Sequence, residues 1–270
     1  MIELQVEKPK HRSELRKKLG KEYFCLKQNF QWWFGNEKLA KARKNSHLNF
    51  VVKEHQSFLL RPLKDVDMQL QYNKVTNLRL ALENIDGVII QPGETFSLWQ
   101  LVGRPTKAKG YLEGMTLSNG QVKSGIGGGL CQLGNLIYWM TLHSPLTITK
   151  RWRHSYDVFP DVNRKIPFGS GATLSYNYID LQIKNETSQP FQINLWLTDD
   201  YLKGNICTTD AILNSYEVFE KNHKFELQWW GGYTRHNEIW RKVVNKLSMS
   251  ESEELITANH AIMMYNPLLE

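Results

Sequence analysis

Apolar residues recur at helical spacing between 130 and 142: Leu130, Leu133, Leu136, Ile137 and Met140 share one face, leaving Cys131, Asn135 and Tyr138 on another. This pattern predicts a helix from the cysteine to about His143, with Pro145 blocking continuation. Leu78, Leu80, Ala81, Leu82 and Ile85 predict a second helix over 73–85, with Gly87 as its C-cap. Val88, Ile89 and Ile90 then read as a short buried strand, Pro92-Gly93 as the centre of a type II turn, and 95–99 as extended. From 146 onward the signal becomes extended. Segments 173–176, 179–183 and 191–197 alternate apolar and polar residues, and further strands are predicted at 216–219, 224–229 and 238–244. The expected fold class is α+β: N-terminal helices, then a mainly antiparallel β-sheet, with a Gly-rich loop leading into a central helix.

Charge singles out the N-terminus. The chain carries a formal +7, and residues 1–53 hold thirteen Lys/Arg against five acids. Arg12, Arg16, Lys17, Lys18, Lys21 and Lys27 are interleaved with Leu15, Leu19, Tyr23, Phe24, Phe30, Trp32, Trp33 and Phe34, as in a basic amphipathic helix with an aromatic end. Interior packing is the commoner fate of aromatics, so the expectation is a helix docking its aromatic side on the main domain. The alternative is peripheral contact with an anionic membrane. No nucleic-acid signature accompanies the charges, so no nucleic-acid partner is expected. The expected organisation is a basic aromatic helical segment over 1–50, a core domain over 51–200 and a β-rich C-terminal extension over 201–270 packed on the core.

Three widely spaced cysteines, Cys25, Cys131 and Cys207, do not form a disulfide framework and fit a reducing compartment. Acids near the N-terminus, with no apolar run behind them, do not read as a secretory signal, and no stretch reads as a spanning helix. A cytoplasmic location is therefore expected, peripheral at the inner membrane face if the basic segment binds lipid.

The run Ser124-Gly125-Ile126-Gly127-Gly128-Gly129-Leu130-Cys131-Gln132 puts a cysteine where glycine backbone gives way to a helix. Glycines permit φ > 0 and close approach, and the first N–H groups of a helix favour an anion, so a thiolate is expected there. The alternative is a cysteine serving as a small hydrophobe. No Cys-x-x-Cys or His-x-x-x-His spacing supports a metal, and the glycine run lacks the following Gly-Lys-Ser/Thr and the βαβ setting of a phosphate or dinucleotide loop. No cofactor is expected. His143 reads as a dipole partner at a helix C-terminus. Trp99, Trp139 and Trp152 read as core or pocket wall. Glu94 and Ser97 would either line the site or serve their turn and strand.

Asn77-Leu78-Arg79-Leu80-Ala81, Gln91-Pro92-Gly93-Glu94-Thr95-Phe96-Ser97, Gly127-Gly128-Gly129-Leu130-Cys131-Gln132 and Arg153-His154-Ser155, followed by Asp180-Leu181 and Asn185, resemble the VanW family in order and spacing. The resemblance implies a link to the bacterial cell wall and glycopeptide resistance. It also implies an acyl transfer of L,D-transpeptidase type, with Cys131 as nucleophile and His154 as base, on a peptidoglycan peptide or a lipid-linked precursor. The Gly128, Gly129, Leu130 and Cys131 amides would be oxyanion donors, and Gly127, Gly128, Gly129, Gln132, Glu94 and Ser97 would bind substrate. One departure stands out: the family's Gly-x-Asp-Ala-Thr acid falls at Gly171, leaving Asp157 or Asp180 to replace it, with Asp180 taken as the third catalytic residue. The alternative is a non-catalytic accessory module that binds a cell-wall precursor or another resistance protein.

Overall fold

The computed structural model describes residues 12–60, 67–118, 120–160 and 166–267. Helix α1 (Glu14–Phe34) starts at Ser13, whose hydroxyl accepts the Arg16 N–H, and is followed by strand β1 (Phe50–Phe58). Helix α2 (Met68–Ile85) begins five residues before the apolar periodicity does, because the Asp67 carboxylate caps it by accepting the Gln69 N–H at 2.8 Å. Strand β2 (Val88–Ile90) leads into the expected turn, with Gly93 at φ +80° and the Glu94 N–H bonded to the Gln91 carbonyl at 2.9 Å. Strand β3 (Thr95–Ser97) is shorter than the predicted 95–99, since Ser97 caps helix α3 (Leu98–Val102) by accepting the Gln100 N–H.

A hairpin of β4 (Glu113–Ser118) and β5 (Gln121–Ile126) feeds the glycine loop and helix α4 (Cys131–Leu142). Beyond it lie β6 (Thr147–Lys150), β7 (Tyr156–Asp157), β8 (Gln182–Lys184), β9 (Phe191–Leu197), β10 (Tyr201–Thr208), β11 (Asn214–Leu227), β12 (Tyr233–Asn245) and β13 (Glu251–Met263). The strands form sheets ordered β1-β10-β9-β2, β3-β8-β6 and β11-β12-β13-β7; all pairings are antiparallel except β13 with β7. This is an α+β fold.

Leu133, Ile137 and Met140 of α4 are fully buried in one cluster with Leu78 and Ile85 of α2 and Phe191 and Ile193 of β9. Each such side chain contributes about 1.5–3 kcal/mol relative to exposure, so α4 is fixed in place by its apolar face. Part of its other face is covered too. Tyr138, expected away from the core, is buried beneath Arg151, whose guanidinium sits 4.8 Å from its ring centre.

Four further expectations change. Segment 173–176 is not a strand: Ser175 and Ile179 exchange backbone hydrogen bonds across a tight turn, and only Gln182–Lys184 of the next segment pairs in a sheet. Strand β13 was not anticipated, because Glu251-Ser252-Glu253-Glu254 shows no alternation; cross-strand pairs Lys242–Glu251 and Arg241–Glu254, at 2.7 and 2.6 Å, hold it to β12. Trp152 is exposed rather than core. The aromatics of α1 dock only in part: Trp32 packs against the core cluster and the Phe24 ring lies 5.5 Å from that of Tyr178, while Tyr23, Phe30, Trp33 and Phe34 face solvent.

Candidate functional site

The glycine loop is held by close backbone packing. Gly128 lies against Gly114 so tightly that any Cβ on either would overlap the other's carbonyl group. Gly129 sits at φ +92°, where side chains are strained. Asn77, fully buried on α2, clamps both sides: its Nδ2 donates to the Gly128 carbonyl at 2.9 Å and the Leu112 carbonyl at 3.0 Å, while its Oδ1 accepts the Leu112 N–H at 2.8 Å. An asparagine beside the apolar positions Leu78, Ala81 and Leu82 was the available sequence signal for this clamp.

The loop therefore delivers Cys131 as the first residue of α4. Its Sγ accepts the Leu174 N–H at 3.4 Å and lies 3.8 Å from the Leu174 carbonyl. Gln132 points to β1, donating to Ser57 Oγ and the Phe58 carbonyl, both at 2.8 Å. One turn further, Asn135 Oδ1 accepts the Ala172 N–H at 2.8 Å. Segment 171–174 thus runs along the first turns of α4. Its other side meets the segment carrying His154: Arg151 Nε donates to the Gly171 carbonyl at 2.8 Å, and the Thr173 N–H bonds to the Trp152 carbonyl at 2.7 Å. Asn135 and Arg151, absent from the sequence-based set, join these pieces.

Cys131 and His154 consequently flank one stretch of chain, yet no hydrogen bond joins them among the described residues. Burial pushes the Cys131 thiol pKa up, outweighing the Leu174 and Cys131 N–H groups that favour the thiolate. Burial, and then the Arg153 charge, push the His154 pKa down. Both shifts run toward the neutral thiol and the neutral imidazole, opposite in sense to the expected thiolate. The physical reason is that burial disfavours the charged form, and here it outweighs the modest pull of a helix N-terminus, about 0.3–1 kcal/mol for an exposed anion.

Asp180 belongs to a separate cluster. It is fully buried and accepts four hydrogen bonds, from Ser97 Oγ at 2.6 Å, the Leu181 N–H at 2.9 Å, the Trp99 N–H at 3.0 Å and Gln182 Nε2 at 3.2 Å. Burial nevertheless pushes its pKa up to about 6, against the pull of Ser97, Trp99, Gln182 and the Lys150 charge. Ser97 thus meets Asp180 rather than Cys131. Glu94 closes its own turn, its Oε2 accepting the Gln91 N–H at 3.0 Å. Asp157 is paired with the buried Arg235 at 3.2 Å and accepts the Tyr265 hydroxyl at 2.8 Å. His143 sits at the C-terminal end of α4 with Nδ1 2.9 Å from the Trp139 carbonyl, but burial pushes its pKa down to about 4, so it is not the cationic dipole partner expected. Among the described residues no group of three or more His, Cys, Asp or Glu is placed to hold a metal, and no helix is long and apolar enough to cross a membrane.

Fold and site together define an α+β protein built around a glycine loop and a cysteine-headed core helix. The chain belongs to the VanW family: the model described as VanW like protein matches residues 73–207, half of its 270 residues. It is 43% identical over 140 residues to the vancomycin B-type resistance protein VanW of Enterococcus faecalis, covering 52% of this chain and 51% of that protein. It is 32% identical over 117 residues to the uncharacterized protein YoaR of Bacillus subtilis, covering 43% of this chain and 37% of that one. The chain therefore spans about half the length, or less, of these curated relatives. No solved structure matches it.

Proposed function

We propose that this chain is an accessory protein of vancomycin resistance that acts by binding a cell-wall peptide or its precursor, without cysteine chemistry. The similarity to a vancomycin B-type resistance protein supports the resistance role. The observation that carries the non-catalytic reading is that the Cys131 sulfur meets the Leu174 peptide and, among the described residues, no hydrogen bond joins it to His154, while burial raises the thiol pKa. A nucleophile needs the opposite, a lowered pKa and a base within reach. Asp180 is occupied by four donors around Ser97 and Trp99, and among the described residues it orients no histidine.

The competing reading is cysteine acyl transfer, favoured by one observation: Cys131 and His154 border the same 171–174 stretch. There the thiolate would attack a peptide carbonyl, the amine would leave with a proton carried by the imidazole, and an acyl-thioester would remain for a second amine. Complementation separates the two. In a vancomycin-challenged host lacking this chain, the parent protein is expected to protect and Cys131→Ala to protect equally. Lost protection by a normally folded Cys131→Ala protein would install acyl transfer instead, and absence of protection by the parent chain would remove the resistance role.

A further inference from the structure

Helix α1 is 21 residues long, and it is attached to the body along one side. There Cys25 Sγ donates to the Tyr176 carbonyl at 3.2 Å, Lys150 Nζ donates to Gln28 Oε1 at 2.5 Å, Asn177 Nδ2 donates to Asn29 Oδ1 at 2.6 Å, and Arg104 pairs with Glu22 at 2.5 Å. These specific bonds set which face docks. The roughly opposite face carries Leu15, Leu19, Tyr23, Leu26, Phe30 and Trp33, joined at its edge by Phe34. Steps of three and four residues align them in one stripe along the helix. Each of the seven is between 61% and 72% exposed. A run of apolar side chains facing water over a whole helix is costly unless something covers it.

The charges around the stripe identify what does. By helical position Arg16 and Lys27 border it on one side and Lys18 on the other, and Arg12, Lys17 and Lys21 are exposed on the same helix or at its start. The only acids of α1 are already engaged, Glu14 by Lys17 at 2.7 Å and Glu22 by Arg104. Arg16, Lys18 and Lys27 have no carboxylate partner among the described residues. A second copy of this chain would bring a like-charged border against this one. An anionic lipid surface brings opposite charge to the borders and hydrocarbon to the stripe, matching both features of an in-plane amphipathic helix. We infer that α1 seats this protein on an anionic phospholipid membrane, with the stripe from Leu15 to Phe34 entering the headgroup region and Arg16, Lys18 and Lys27 at the phosphates. This inference is independent of the reading of Cys131.

Co-sedimentation of the full chain with vesicles tests it. Mixed phosphatidylglycerol–phosphatidylcholine vesicles are expected to pull the protein down at low salt, pure phosphatidylcholine vesicles far less, and raising salt to release it several-fold. The double variant Leu19→Gln/Phe30→Gln, altered only at exposed positions, is expected to keep the parent melting temperature and lose about tenfold or more in binding. The charge variant Lys18→Gln/Lys27→Gln should bind anionic vesicles less and neutral ones unchanged. Failure of the parent chain to bind anionic vesicles, equal binding to neutral ones, or full binding by the Leu19/Phe30 variant would overturn the inference. So would concentration-dependent dimerisation that this variant abolishes while vesicles recruit nothing, since a second copy would then be the occupant.

Discussion

Two titratable groups in the VanW-matched region sit at helix N-terminal turns, and their surroundings differ. Asp180 lies at the start of α3, fully buried, with four donors aimed at its two oxygens. Cys131 begins α4, half-buried, with the Leu174 N–H as the partner contributed by another segment. Burial pushes both toward the neutral form. At Asp180 even four hydrogen bonds do not offset full burial completely; at Cys131 fewer hydrogen bonds oppose a lesser burial, and the shift runs the same way. Position at a helix N-terminus does not by itself lower a pKa where burial opposes it.

The largest way to break this contrast is to remove the Asp180 carboxylate. Asp180→Ala strands the Ser97 hydroxyl, the Trp99 and Leu181 N–H groups and the Gln182 amide, and is expected to cost about 3–5 kcal/mol, as for other buried polar networks. Denaturant unfolding checks it, and a loss below about 1 kcal/mol would remove the structural role. The acid also sets a pH signature. With its folded pKa raised to about 6 from 3.8, the folded state binds the proton more tightly. This stabilisation is full at low pH and is lost as pH rises from about 4 to 6. Asp180→Asn should abolish that part of the pH dependence.

Next in size is the packing that aims Cys131. Gly128→Ala forces a methyl group into the Gly114 backbone and is expected to destabilise by about 2–3 kcal/mol, read from the shift in denaturant midpoint. A neutral substitution would show that the loop relaxes freely and that Cys131 is less fixed than described.

The smallest effect sharpens the question at Gly171. A Cβ there would come within 2.5 Å of Asn135 Oδ1, the group that accepts the Ala172 N–H, so Gly171→Asp is expected to cost about 1–2 kcal/mol. Acyl transfer to a precursor peptide should not appear. Gain of such activity in a stable Gly171→Asp protein would make position 171 the missing element of an enzyme.

Much of this arrangement was legible in the sequence. The apolar stripe of α4 reports a face that must be buried, and the glycine run marks the close approach that Gly114 and Gly128 make. The turn at 91–94 was readable because Pro-Gly fits one backbone geometry. The state of the sulfur was not readable, because the peptide covering it comes from Leu174, 43 residues further on. Periodicity likewise reveals that α1 has an apolar stripe but not which side faces the body; long-range partners such as Tyr176, Lys150 and Asn177 decide that. Strand β13 escaped because charge pairing with β12, rather than alternation, holds its polar half.

A half-buried, neutral Cys131 thiol held against the Leu174 peptide has a signature in the pH dependence of its alkylation in the native protein. Mass mapping after brief iodoacetamide treatment is expected to show slow labelling at neutral pH, with an apparent thiol pKa above the ordinary ~8.5 and no change in rate for His154→Ala. Fast labelling of Cys131 at neutral pH, with a pKa well below that value and a rate that falls when His154 is removed, would contradict the account and identify an activated nucleophile.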